Sequence, residues 1–456
     1  MSTSGSGSRA PSIHTPSSNP FSTPLRSSRV PSEDERRVSY FPSTAIQGHA
    51  PRQRKFKSAR FTGEYEKPWL DEPNPRRKWE RLILWGSVVI GFAIGGFICY
   101  MAYASVSNFE YCLVMDDNFE SINSDHWGYE IQRGGFGTGG FDWTTDDPKN
   151  AYTDSEGLHI VPTLTIETTN IDLGQLTDNY VLNLTTDGTC TENGIDECSI
   201  RSNITSGDII NPVRSARLTT KGKKSIKYGR VEVIAKMPKG SWLWPAIWMM
   251  PENDVYGIWP RSGEIDIAES RGNHGDDYPD GRDSVISALH WGPLPEVDGF
   301  WKTSGKHNVR RTDYSEQFHT FGLEWNENYL FTYIDSRLLQ TFFIKFNHGP
   351  KSMWDRGNFG ETIVNHSALF DPWSQTDRAN TPFDTPFYLI LNVAVGGTNG
   401  YWKDGVGNKP WGDASIDAPR QFWESQGQWY PTWGEGAKRG LTVKSVKMWS
   451  EGACGS

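Results

Sequence analysis

The sequence predicts an all-β fold: a two-sheet sandwich over residues 107–456, preceded by a disordered tail and one transmembrane helix. Three observations carry this. Short apolar or alternating runs recur through the C-terminal part, bounded by Gly, Pro, Asn and Asp. Long helical periodicity is missing there. A single uncharged run stands well inside the N-terminal half.

The runs that read as strands are Gly157–Pro162, Gly229–Met237, Val285–His290, Phe318–Glu324, Tyr329–Ile334, Phe387–Val395 and Leu441–Trp449. So many short strands in one span suggest two packed sheets, with long loops carrying function. The uncharged run is Leu82–Val106, 25 residues long. At ~1.5 Å per residue it spans a ~30 Å hydrocarbon core with some tilt. Arg76, Arg77, Lys78 and Arg81 precede it, and nothing basic follows closely. The positive-inside rule then puts the N-terminus in the cytosol and the C-terminal bulk outside or in the lumen, a single-pass type II arrangement. The run is too long, and too far from the N-terminus, for a cleaved signal peptide. Residues 1–75 form the cytosolic tail. Its first part is rich in Ser, Pro and Arg and poor in apolar side chains, so it cannot offset chain entropy by burial.

Cysteine usage agrees with export. Cys99 lies in the apolar run, leaving Cys112, Cys190, Cys198 and Cys454 in the outer domain. Four cysteines allow three pairings. The favoured one joins Cys190 to Cys198 across a short loop and Cys112 to Cys454 at the domain's ends. Free buried thiols are the alternative. Asn183, Asn203 and Asn365 begin glycosylation sequons on the same side.

Charge narrows the partners. The net charge is −9, but residues 1–81 hold 15 Lys/Arg against 8 Asp/Glu and the remainder 31 against 47. An acidic outer domain argues against nucleic acid. Neutral carbohydrate suits it better, and 17 of the 20 Trp lie beyond residue 106. Trp offers sugars a flat apolar face, although many of these side chains must build the core.

The run Glu264-Ile265-Asp266-Ile267-Ala268-Glu269 carries the chemistry. On a strand, Glu264 and Asp266 share one face and the two isoleucines the other. Glu269 breaks parity. One extra residue, a β-bulge near Ala268, returns it to the acidic face. Retaining glycoside hydrolysis needs two carboxyl groups about 5–5.5 Å apart, a nucleophile and a proton donor. A third acid between them keeps a neighbour protonated by like-charge repulsion and hydrogen bonding. A solvated edge strand or a calcium site is the plain structural alternative. The aliphatic partners mark a central strand instead, and a calcium cage usually draws on loop oxygens.

This run resembles the E-x-D-x-x-E pattern of glycoside hydrolase family 16, in its laminarinase and glucan-binding branch. The similarity extends to Ser215–Thr220, Tyr228–Glu232, Met237–Met249, His290–Pro293, Phe318–Trp325 and Phe387–Gly397. It implies a β-jelly roll with an open, endo-acting cleft. It further implies Glu264 as nucleophile, Glu269 as acid/base and Asp266 as the helper. Trp248, His290 and Trp291 are implied as cleft residues, with Trp244 and Asn392 as weaker candidates for substrate binding. For Trp143, stacking on a sugar and packing in the core both stand. His319 and Trp325 read as structural. Gly139–Asp142 departs from the family's common Gly-Asn-Asn-Glu, and residues 178–212 look like an insertion.

The resemblance implies β-glucan as substrate, with β-1,3 or mixed 1,3/1,4 linkages, and no required cofactor. Some relatives hold a structural calcium away from the catalytic centre, but no sharp signature for it stands here. A wall polysaccharide and a membrane anchor fit a fungal cell. Two other outcomes share the scaffold: a cell-wall transglycosylase, which passes the glycosyl group to a sugar, and a glucan-recognition protein that has lost its acids. The three acids present here disfavour the second. A membrane adhesion protein without sugar chemistry would leave the acidic row unexplained.

Overall fold

Alternation dictates the strands. Along Gly229–Lys236 every second residue is buried, as one face turns to the core. The computed structural model describes residues 59–60, 62–71, 75–104 and 109–455. Most of the tail expected over residues 1–75, and the last two residues of the apolar run, lie outside these.

The apolar run forms part of a helix over Pro75–Ala104, 30 residues long. It begins seven residues before Leu82, because Pro75 suits a first helical turn and the basic residues after it can continue the helix in water. Pro68–Asp71, within the expected tail, forms one further helical turn. Length and composition allow the long helix to cross a bilayer.

The chain after the helix folds as a jelly-roll sandwich of two antiparallel eight-stranded sheets. One runs in the order Ser336–Lys345, Tyr329–Ile334, His319–Trp325, Gly229–Lys236, Leu441–Glu451, Gly157–Ile160, Ala151–Asp154, with Tyr111–Asp117 also pairing on Leu441–Glu451. The other runs Ser304–Asn308, Ser284–His290, Glu264–Glu269, Leu243–Pro251, Phe387–Val395, Arg217–Thr219, Gly128–Tyr129, with Ser225–Ile226 pairing on Phe387–Val395. All seven runs read as strands from the sequence lie in these sheets, with ends shifted by a residue or two.

The inner faces interleave Ile247, Ile265, Leu389 and Leu391 from one sheet with Val231, Val233, Phe321 and Leu323 from the other, all fully buried. Each such side chain contributes about 1.5–3 kcal/mol. That anchors the strand Glu264–Glu269 by its aliphatic face and leaves its acids no choice but the outer face. Its start is set by Gly263, which has φ +86°, where a β-carbon would be strained and would lie 3.1 Å from Phe383. Both favoured disulfides are formed, Cys112–Cys454 and Cys190–Cys198. The second staples a two-stranded ribbon, Val181–Asn183 with Ser199–Arg201, inside the insertion.

Candidate active site

The acidic strand is third in its sheet and hydrogen-bonded on both sides. Toward one neighbour, Asp266 opposes Trp248 and Glu269 opposes Ala246. Three steps along the acidic strand therefore match two on its partner. The same offset recurs toward the other side, where Asp266 opposes Ala288 and Glu269 opposes Ile286. This is a β-bulge within Ile267–Ala268, both buried. It brings Glu269 onto the face shared by Glu264 and Asp266.

The three acids differ in surroundings. Glu264 accepts a 2.5 Å hydrogen bond from Trp259 Nε1. Glu269 accepts one of 2.8 Å from Trp244 Nε1. Trp244 in turn stacks on Tyr401 at 3.7 Å between centroids, with planes 5° apart. Asp266 is 2% exposed. His290 Nε2 lies 3.3 Å from Asp266 Oδ2, a contact close enough for attraction but too poorly aligned to count as a hydrogen bond. His290 Nδ1 contacts Asp298 Oδ2, and Phe300 stacks against the His290 ring at 5.1 Å.

Burial, then the charges of Glu264 and Glu269, push the Asp266 carboxyl well above its ordinary value. Burial also raises Glu269, and Glu264 adds to it, while His290 and the Trp244 donor pull the other way. For His290 burial favours the neutral ring, but Glu264, Asp266 and Asp298 outweigh it and hold the imidazole well above its usual value. The site thus sets an imidazole of raised proton affinity against two carboxyl groups, Asp266 and Glu269, whose proton affinity is also raised. Glu264, Asp266 and His290 bring ligand atoms within 4.8 Å of one another.

Trp248 continues the wall on the next strand. Its Nε1 donates to Asn392 Oδ1 at 2.7 Å. Its ring carries the Arg217 guanidinium at 4.7 Å, and that group is covered on its other side by Phe136 at 3.9 Å. The arrangement is a groove across the sheet, with acids at its centre and indole edges aimed at them.

A model of "Glycosyl hydrolases family 16" matches residues 174–351. The chain is 39% identical over 347 residues to a β-1,3-glucan-binding protein of Penaeus monodon, covering 74% of this chain and 90% of that protein. The chain belongs to glycosyl hydrolase family 16. It is also 37% identical to a glucan endo-1,3-β-glucosidase of Cryptopygus antarcticus, over 42% of this chain and 59% of that one. The laminarinase catalytic domain of Thermotoga maritima superposes with a TM-score of 0.46 at 22% identity, covering 75% of this chain and all of that one.

Of the residues singled out in the sequence, this family 16 domain brings Glu264, Asp266, Glu269, Trp244, Trp248, His290 and Asn392 to one groove. One expectation is corrected, at Trp291, and one open choice is closed, at Trp143. Trp291 is fully buried, donates from Nε1 to Thr303 Oγ1 at 2.7 Å and packs edge-on to Phe359 at 5.4 Å. His290 faces the groove, so its neighbour turns to the core. Trp143 is also buried, with Nε1 on Thr165 Oγ1 at 3.1 Å and Arg214 over its ring at 4.9 Å; packing, not sugar stacking, occupies it. His319 and Trp325 are structural: one meets Asp335 at 2.8 Å, the other donates to Phe383 O at 2.9 Å.

Sequence reasoning missed Trp259, Asp298, Arg217 and Tyr401. Trp259 and Asp298 flank motif residues at short range, which was an available signal. Arg217 and Tyr401 reach the groove from distant segments, and nothing local marks them.

Proposed function

We propose that the family 16 domain is a retaining endo-β-1,3-glucanase. The carrying observation is the bulged strand, which sets Glu264, Asp266 and Glu269 on one face with a raised proton affinity at Glu269. On this reading Glu264 attacks the anomeric carbon, and the glycosidic bond breaks as Glu269 gives its proton to the departing oxygen. The product is a glycosyl ester on Glu264 and a shortened glucan alcohol. Glu269, now a carboxylate, takes a proton from water, whose oxygen attacks the same carbon and frees Glu264. Asp266 and His290 act through their neighbours: they stand beside the two acids as negative charge passes from Glu264 to Glu269. The flat faces of Trp244 and Trp248 suit sugar rings.

The same reading makes Leu82–Val106 a membrane span, with residues 1–75 cytosolic and the domain outside or in the lumen. The basic residues before the run and the two disulfides support it. Mixed 1,3/1,4-glucan is the alternative substrate.

A second reading, recognition of β-1,3-glucan without turnover, is favoured by the name of the 39% identical relative. The full chain incubated with end-labelled β-1,3-glucan oligosaccharide separates the two. Shorter products, absent with Glu264→Gln, are expected, and Glu269→Gln should slow turnover by about 10²–10⁴-fold. Products longer than the substrate would make the protein a transglycosylase. Binding with no product would establish the recognition reading.

A further inference from the structure

Three loops leave the sandwich at the end where the chain enters it. Tyr111 pairs with Glu451, and Gly229 beside them pairs with Ser450 and Trp325. Trp325 donates to Phe383 O, and its ring lies 5.7 Å from Phe387, which pairs with Pro251. Loops 252–263, 291–303 and 346–386 therefore share this end with the entering chain.

Loop 252–263 and the hairpin Ile363–Val364 with Ser367–Ala368 wall a cavity of about 470 Å³. Its lining is apolar except for Tyr256, Asn365, Ser367 and one charged group, Arg261; no carboxylate lines it. In its lining Val255 and Phe370 are 60% and 77% exposed, and Ile258 and Ile363, in the same loop and hairpin, are 73% and 71% exposed. Scattered exposed apolar residues need no explanation, but a contiguous set marks an interaction surface.

We propose that these loop tips rest in the interfacial region of the lipid bilayer. The inference rests on the reading of Leu82–Val106 as a membrane span. Only six residues separate Ala104, the last of the helix, from Tyr111. At ~3.3–3.6 Å per residue they reach about 20 Å. The domain thus stays beside the lipid, and the end bearing these tips is the one the tether enters. Aliphatic and aromatic tips around an arginine match the chemistry of the headgroup and acyl boundary, and acids of the same loops, Asp254, Glu361 and Asp371 among them, stay outside the cavity lining. Loop 252–263 also carries Trp259, the donor to Glu264, so lipid contact would bear on the groove.

The test is lipid-borne quenching of a fluorophore on single cysteines. The full chain is reconstituted in phosphatidylcholine vesicles containing doxyl-labelled lipid. The native free thiol, Cys99, reports the span. In a Cys99→Ser background, Ile258→Cys, Ile363→Cys and Phe370→Cys report the tips. Ile416→Cys is the reference: Ile416 is 84% exposed and lies in segment 396–440, at the far end of the sandwich. Loss of emission at Cys99 and at the three tips, but not at 416, is expected. Quenching at Cys99 with all three tips as bright as 416 overturns the docking and leaves the span standing. An unquenched Cys99 overturns the span and the docking with it. A glycan on Asn365, found by mass spectrometry, also overturns the docking, because Asn365 lines the cavity.

Discussion

Asp266 is the costliest side chain in the groove. It is buried between two other acids, its Oδ2 has no aligned donor among the described residues, and its proton affinity is raised by burial first and by Glu264 and Glu269 second. A group whose folded pKa is raised contributes stability below its unfolded pKa and loses it as pH rises through the folded value. At neutral pH the wild type therefore carries a penalty. Asp266→Asn should remove it, adding about 1–3 kcal/mol of stability. The gain should vanish at pH values below about 4 and grow toward neutrality, while turnover falls. Thermal unfolding of both proteins across pH checks this; equal stability at pH 7 would mean that the burial is already compensated. The acids themselves were legible because their spacing is a statement about strand parity. Trp291 and Trp143 were not, because residue type does not say which way an indole turns. For Trp291 the parity rule was at hand: a neighbour of groove-facing His290 belongs to the core.

At the level of the strand, function hangs on one extra residue. Strict alternation would send Glu269 inward beside Ile247 and Leu391. The bulge at Ile267–Ala268 prevents that, and its register offset is the same on both flanking strands. Deleting Ala268 leaves Glu-Ile-Asp-Ile-Glu, an alternating run that holds all three acids on one face without a bulge. Turnover should therefore survive the deletion better than it survives Glu269→Gln, which should lose turnover while unfolding like the wild type. A deletion variant as inactive as Glu269→Gln would show that the bulge itself positions the acid. The bulge was readable in the sequence only through chemistry: three acids serve one groove only if parity breaks. The loops bringing Trp259 and Asp298 onto the site follow no such period, so their contacts stayed hidden.

Across the whole molecule, one disulfide ties the two ends of the sandwich and another ties a short loop. Cys112–Cys454 closes a loop with a sequence separation of 342, and Cys190–Cys198 one of 8. Both pairings were legible, because four cysteines after the apolar run restrict the choices to three. In the chain-entropy account the long loop is worth about 6 kcal/mol and the short one about 2.5 kcal/mol, by constraining the unfolded state. The long bridge also pins Tyr111–Asp117 to Leu441–Glu451, so it fixes the strand by which the chain enters the sheet. Replacing Cys112 and Cys454 together by Ser should therefore cost more stability than replacing Cys190 and Cys198. The ribbon Val181–Asn183 with Ser199–Arg201 lies outside the two large sheets, so loss of the short bridge should loosen it and leave the groove intact. Denaturant unfolding of the two double variants, with glucan turnover measured on each, separates these effects. An equal loss from both would mean that the unfolded chain is already compact enough to keep its ends together.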